Sequence, residues 1–227
     1  MRRAANRTAR KTPQASAIPV EAQAVPVGAR ARRAAERRDA ILAAALDEFS
    51  ARGFAATRLD DVAKRAGVAK GTIYLYFADK EALFQELIRA ELSPVVGGLI
   101  QVSHTDIPIR QFVHHLVDVF AREVFETRRK DVIRLVLTEG SRFPKLAEFY
   151  YQEIIARVLP AVRTLLRRAV ERGELKHDAL VKYPQLLPAP MLLAIMWQGL
   201  FDRFEPLDIR ALMRAHFEIL FDDRSAT

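Results

Sequence analysis

The sequence predicts an all-α protein of about nine helices. Three observations lead there. Apolar residues recur at three- and four-residue spacing through most of the chain after Ala31. No stretch alternates apolar and polar residues as a half-buried strand would, and no segment repeats. Glycine and proline fall between the periodic stretches, where helices start and stop.

The elements follow in order. Residues 1–30 are rich in Ala, Arg, Pro and Ser without an apolar period, and are expected to form a disordered basic arm. A first helix starts near Ala31, buries Ile41, Leu42, Ala45 and Phe49, and ends at Gly53. Thr57 with Asp60 three residues on resembles a capping box for a second helix over 59–66. Gly67 permits a left-handed turn before a third short helix over 70–76. Asp79 caps a fourth helix carrying Leu83, Phe84, Leu87 and Ile88, which Pro94 kinks or ends. Pro108 opens the next, followed by an apolar helix over 129–139. Pro144 opens a long helix to Glu171, with a bend expected at Pro160 and closure at Gly173. A helix with an irregular, proline-rich start spans 182–203, and Pro206 starts the last, ending near Phe221.

Composition narrows the function. The 227 residues are 50% apolar, enough for a sizeable core. With no cysteine there is no disulfide, thiolate metal site or cysteine nucleophile. The five histidines fall in no metal-ligand or catalytic spacing, so neither a metal nor a cofactor is expected. No run of 18 apolar residues occurs and the basic N-terminus lacks the apolar stretch of a secretion signal. A soluble cytoplasmic protein without membrane contact is the expectation. Net charge is +8, and all of it resides in residues 1–38, which hold ten Lys and Arg against Glu21 and Glu36. Such asymmetry points to a polyanionic partner.

Two short helices joined by Ala66-Gly67-Val68-Ala69 suit a helix-turn-helix, whose second helix enters the DNA major groove. With Ile73 turned inward at 100° per residue, Gly71, Thr72, Tyr74 and Leu75 occupy the outer arc. Gly71 allows close backbone approach, and Thr72 suits base edges or a thymine methyl. Lys70, Tyr76 and Lys80 reach toward phosphates, as do Thr57 and the amides opening the second helix. The domain plan is therefore an arm at 1–30, a three-helix DNA-binding domain at 31–78, and a helical domain at 79–227.

Residues 37–84 resemble the DNA-binding domain of the TetR, or tetracycline-repressor-like, family. The resemblance rests on the gapless stretch from Thr57-Arg58-Leu59-Asp60-Asp61-Val62 through Lys70-Gly71-Thr72-Ile73-Tyr74-Leu75-Tyr76-Phe77 to Asp79-Lys80-Glu81-Ala82-Leu83. It implies that Lys70, Gly71, Thr72, Tyr74, Tyr76 and Lys80 touch DNA. Asp60 departs from the pattern, because many members have a basic or neutral residue there; it is read as a cap, and Arg58 as a partial replacement contact. Arg30, Arg32, Arg33, Arg37 and Arg38 lead into the first helix and suit a minor groove.

The resemblance further implies that the larger body binds a small-molecule inducer and dimerises through its last two helices, and the aromatic bias of the candidate lining suggests an apolar or aromatic molecule. A two-fold dimer would address a pseudo-palindromic double-stranded operator as a repressor does. Candidate dimer residues are Met191, Leu192, Ile195, Met196, Leu200, Leu212, Phe217 and Leu220. Candidate ligand residues are Phe84, Ile88, Phe112, His115, Leu116, Phe120, Arg134, Leu135, Phe143, Tyr150, Tyr151, Met191 and Trp197, with Glu139 and Arg142 as further polar candidates. Against an enzyme stands the absence of a His-Glu-x-x-His, phosphate loop or nucleophile elbow. Against a DNA-coating protein stand the large apolar body and the short recognition helix. A protein effector in place of the small molecule is the remaining alternative.

Overall fold

The computed structural model describes residues 27–221, and every element among them is helical. The α-helices are α1 (Val27–Ala56), α2 (Leu59–Arg65), α3 (Lys70–Ile73), α4 (Lys80–Ser103), α5 (Ile109–Val119), α6 (Arg129–Glu139), α7 (Pro144–Tyr150), α8 (Ala156–Glu171), α9 (Ala179–Lys182), α10 (Ala189–Leu200) and α11 (Ile209–Phe221). A π-helical turn over Tyr151–Ile155 joins α7 and α8 into one rod, and another over Phe120–Phe125 extends α5.

Several boundaries differ from the expected ones. Most of the expected arm, residues 1–26, lies outside the described residues, while Val27 onward is already helical. Gly53 does not end α1 but kinks it at φ 75°, with the helix running three residues further. The third helix ends at Ile73, and Tyr74–Tyr76 continue as tighter turns closed by Leu75 N–H to Thr72 O and Tyr76 N–H to Ile73 O. Pro94 neither ends nor breaks α4. It removes one backbone donor, but Pro94 and Ala90 both face solvent, so the orphaned carbonyl reaches water. The region expected as one helix over 182–203 divides into α9, a 3₁₀ turn at Pro184–Leu186, and α10. The last helix begins at Ile209 rather than Pro206 because Asp208 Oδ1 accepts the amide of Ala211 at 3.0 Å.

α4 is the spine. Its first half presents Leu83, Phe84, Leu87 and Ile88 to α1, and its second half presents Leu92, Val96 and Leu99 to the body. Four phenylalanines lock the junction. Phe54 lies 5.5 Å from Phe49, 5.6 Å from Phe84 and 4.8 Å from Phe143, between ring centroids. α6 also packs along α1. Arg128 pairs with Asp47 there, and the Glu139 carboxylate sits where a Cβ on Gly53 would meet it at 2.9 Å. Only glycine combines that approach with a positive φ.

The closing helices have two faces. Met191, Ile195, Met213 and Phe217 point into the core. Leu193, Met196 and Leu200 form an exposed stripe along α10, and Ile219 stands 77% exposed on α11.

Candidate DNA interface and ligand cavity

The helix-turn-helix is built on buried Leu59, Val62 and Ala63 of α2 and Ile73 of α3. Its turn is a Schellman cap: Val68 N–H donates to Ala63 O at 3.0 Å and Gly67 N–H to Lys64 O at 3.3 Å, with Gly67 at φ 68°. Glu48, buried on α1, receives Arg65 of α2 at 2.7 Å and holds the unit to its scaffold.

The outer arc expected from the wheel is present. Gly71 is exposed, Tyr74 is 49% exposed and Leu75 is 83% exposed, while Thr72 is half-buried. A Cβ on Gly71 would meet nothing within 4 Å. Nothing in the chain itself therefore demands glycine there. Tyr76 packs partly against the core beside Phe77, so of the two tyrosines Tyr74 is the outward one.

Three expectations near this arc are corrected. Thr57 is not a cap for α2, since it is 2% exposed and its hydroxyl donates to Gly53 O at 2.8 Å and Glu48 O at 3.2 Å. It closes the end of α1, and its hydroxyl is committed there. Asp60 is not a cap either: its carboxylate holds Lys70 Nζ at 2.7 Å across the turn, which raises the lysine's pKa. Arg38 pairs with Glu86 of α4, whereas Arg37 faces solvent.

Lys80 Nζ donates to Phe54 O at 3.0 Å and Ala55 O at 2.9 Å, over the Phe54 ring. A cation there offsets the negative end of α1. With exposed Arg58, it lines a shallow cleft of 520 Å³ that also takes in Thr57, Tyr74 and Asp79. The cleft runs from the start of α2 to the recognition turn and so gathers four of the residues singled out in the sequence. The arginines before it are helical: Arg30, Arg32, Arg33 and Arg37 stand on the exposed front of α1. A helix about 10–12 Å across does not enter a minor groove about 6 Å wide, which removes the expected minor-groove arm from this stretch. The front of α1 is instead a basic helical rod.

The body encloses a cavity of 420 Å³ among α4, α5, α6, the α7–α8 rod, the Pro184 turn and α10. Phe112, Leu116, Phe120, Tyr150, Tyr151 and Met191 line it as expected. The other candidates do not. Phe84 and Ile88 are sealed in the α1–α4 core, and Leu135 is buried outside the cavity. His115 is exposed. Arg134 pairs with Asp131 at 3.0 Å, and Arg142 lies beside Glu139. Phe143 meets the Phe54 ring edge-on. Trp197 donates from Nε1 to Glu205 O at 2.8 Å against Phe201. Missed were Leu92, Val96 and Leu99 on α4 and Val158, Val162 and Arg163 on α8. Leu92–Val96 and Val158–Val162 are i, i+4 pairs visible in the sequence, but a helix ended at Pro94 leaves out Val96 and Leu99. Burial pushes the Tyr150 phenol up to about 12, so it is a neutral donor. Among the described residues no helix is long and apolar enough to cross a membrane, and no His/Asp/Glu cluster is placed to hold a metal.

Comparison with known proteins agrees with this layout. Residues 41–87 match the family described as "Bacterial regulatory proteins, tetR family", and residues 109–219 match "Tetracyclin repressor-like, C-terminal domain". The HTH-type transcriptional repressor BepR of Brucella suis is 33% identical over 151 residues, covering 64% of this chain and 71% of that protein. The uncharacterized HTH-type regulator YhgD of Bacillus subtilis is 29% identical over 176 residues, covering 76% and 88%. Among solved structures, the SmeT–triclosan complex superposes with a TM-score of 0.68 at 21% identity, covering 84% of this chain and 94% of that one. An exposed reading turn on a buried three-helix scaffold, with a helical body behind it, belongs to a DNA-binding transcriptional regulator, and the chain is a member of the TetR family.

Proposed function

We propose that this regulator is a repressor acting as a homodimer, and that it releases a pseudo-palindromic operator when a small apolar molecule occupies the body cavity. Two copies pair through the outer stripe of α10, Leu193, Met196 and Leu200, together with Ile219 of α11. An apolar stripe of this kind on a soluble protein marks an association surface. The pairing sets two α3 elements about 34 Å apart for successive major grooves. Gly71, Thr72, Tyr74 and Leu75 meet the bases, while Arg58, Lys70, Lys80 and the backbone at Thr57 hold phosphates. Arg37 and the arginines before it on α1 add long-range attraction.

The observation that carries the release step is that cavity and reading unit share α6. Ile133 of α6 lines the cavity, while Arg128 and Glu139 at its two ends meet Asp47 and Gly53 of α1. A ligand that favours a displaced α6 moves the kinked end of α1, on which Thr57 and Lys80 are anchored. The size of the effect equals the ligand's differential affinity for the two arrangements. SmeT, solved with triclosan, supports an apolar or aromatic occupant.

Binding-site selection from random DNA supplies the operator, and Val162→Phe then tests the release step by filling the cavity without a ligand. Operator affinity, read by fluorescence anisotropy, is expected to fall about tenfold, or about 1.4 kcal/mol, with the dimer intact by sedimentation. Parental affinity in a folded Val162→Phe dimer would show that the cavity does not control the reading unit.

A further inference from the structure

The lining of the body cavity holds one charged side chain, Arg163, and no acid. Arg163 is half-buried, and it forms no ion pair or hydrogen bond with any described residue. Other arginines on the same rod are engaged: Arg157 with Glu153, Arg168 with Ser103 O, and Arg172 with Asp106 and Glu174. Arg167 faces solvent outside the cavity. A cation partly withdrawn from water without a counter-charge favours an anionic guest, and a guanidinium matches carboxylate or phosphate geometry.

The shape is equally specific. Tyr150, Ile154, Val158 and Val162 recur every four residues along the α7–α8 rod and line the cavity, and Arg163 lines it beside the last of them. The fourteen residues of the rod from Tyr150 to Arg163 span about 20 Å, a reach that suits one extended alkyl chain lying along them. Between its two polar ends the rod offers aliphatic side chains, faced by Leu92, Val96 and Leu99 of α4. The Tyr150 hydroxyl at the far end forms no hydrogen bond with any described residue and carries no charge, so discrimination between charged heads falls to Arg163.

Resting on the ligand-release reading above, we infer that the cavity takes a single-chain amphiphile whose anionic head meets Arg163 and whose chain lies along α8 toward Tyr150. Gln185, which lines the same cavity and is exposed, adds an amide for the head group.

Isothermal titration of the full chain with dodecanoate, dodecyl phosphate, dodecanol and dodecylammonium, each below its micelle concentration, tests this. At least one of the two anions is expected to bind ten times more tightly than dodecanol, with dodecylammonium weakest. Whichever anion binds more tightly identifies the head group, carboxylate or phosphate. Arg163→Gln is expected to bring the anion down to the level of dodecanol while leaving dodecanol unchanged. Equal binding of dodecanol, an undiminished preference in Arg163→Gln, or loss of the preference in Tyr150→Phe instead would overturn the assignment. So would 2-naphthoate binding ten times more tightly than dodecanoate, or no dodecyl compound binding. None of these outcomes bears on the DNA affinity of Val162→Phe, so the release reading stands or falls separately.

Discussion

The reading unit and the body place their apolar groups by opposite plans. In the reading unit, α1, α2 and α3 close over Phe49, Phe54, Val62 and Ile73 with little space left, and Tyr74 and Leu75 are turned outward. In the body, six elements converge and leave 420 Å³ between them. The first region acts through what it does not bury, and the second through what it does not fill. The difference shows in rigidity as well. The DNA-facing turn is pinned by backbone hydrogen bonds within twenty residues, whereas the cavity wall is assembled from helices far apart in sequence. On the release step proposed above, a molecule entering the second shifts helices while the first moves as a unit.

The junction between them offers the largest effect. Phe54→Ala removes a ring that touches Phe49, Phe84 and Phe143 and lies under Lys80. The loss is expected to cost about 3–5 kcal/mol of stability, seen as a lower melting temperature for the whole chain. If the body instead melts at its parental temperature while DNA binding vanishes, the two regions are independent folding units, and coupling through this cluster is ruled out.

Next in size is a change that should separate stability from function. Gly71 has open space where a Cβ would stand, so Gly71→Leu is expected to change stability by no more than about 0.5 kcal/mol. On the proposed docking, the same side chain would stand between α3 and the groove floor. Operator affinity should fall at least a hundredfold, about 2.8 kcal/mol. Thermal melting and anisotropy on the same sample check both halves. A folded variant that still binds the operator would move the base-reading surface away from α3.

How far the sequence exposed these features depended on how local their causes are. The Gly67 turn and the Asp79 cap, whose Oδ1 accepts the Ala82 amide at 2.7 Å, lie within a few residues of their partners and were readable directly. Thr57 misled for the converse reason. The spacing to Asp60 suits a cap, but the acceptors that claim its hydroxyl are on α1, up to nine residues earlier. Phe84 and Phe112 carry the same inward signal in their helices. Only packing distinguishes them, since Phe84 meets Phe49 and Phe54 while Phe112 faces the cavity. Periodicity says that a side chain turns inward, and it is silent on whether another side chain meets it there. Arg163 escaped notice because an arginine on an amphipathic helix ordinarily belongs to the solvent side.

The smallest effect bears on the charge of the reading unit itself. Residues 39–83 hold six Lys and Arg against seven Asp and Glu, and Asp60 keeps Lys70 bound beside the recognition turn. Both groups are exposed, so the pair adds little to stability. Its consequence is electrostatic: a carboxylate near the phosphate path repels DNA, and the lysine it holds is partly neutralised. Asp60→Asn is expected to raise operator affinity about threefold at low salt and to steepen the dependence of log affinity on log salt by about one. Both changes are read from anisotropy titrations across a salt series. An unchanged slope with weaker binding would mean that the acid positions Lys70 for its phosphate. The basic front of α1 would then supply the long-range attraction, and a second substitution series over Arg30, Arg33 and Arg37 should lower the slope where Asp60→Asn did not raise it.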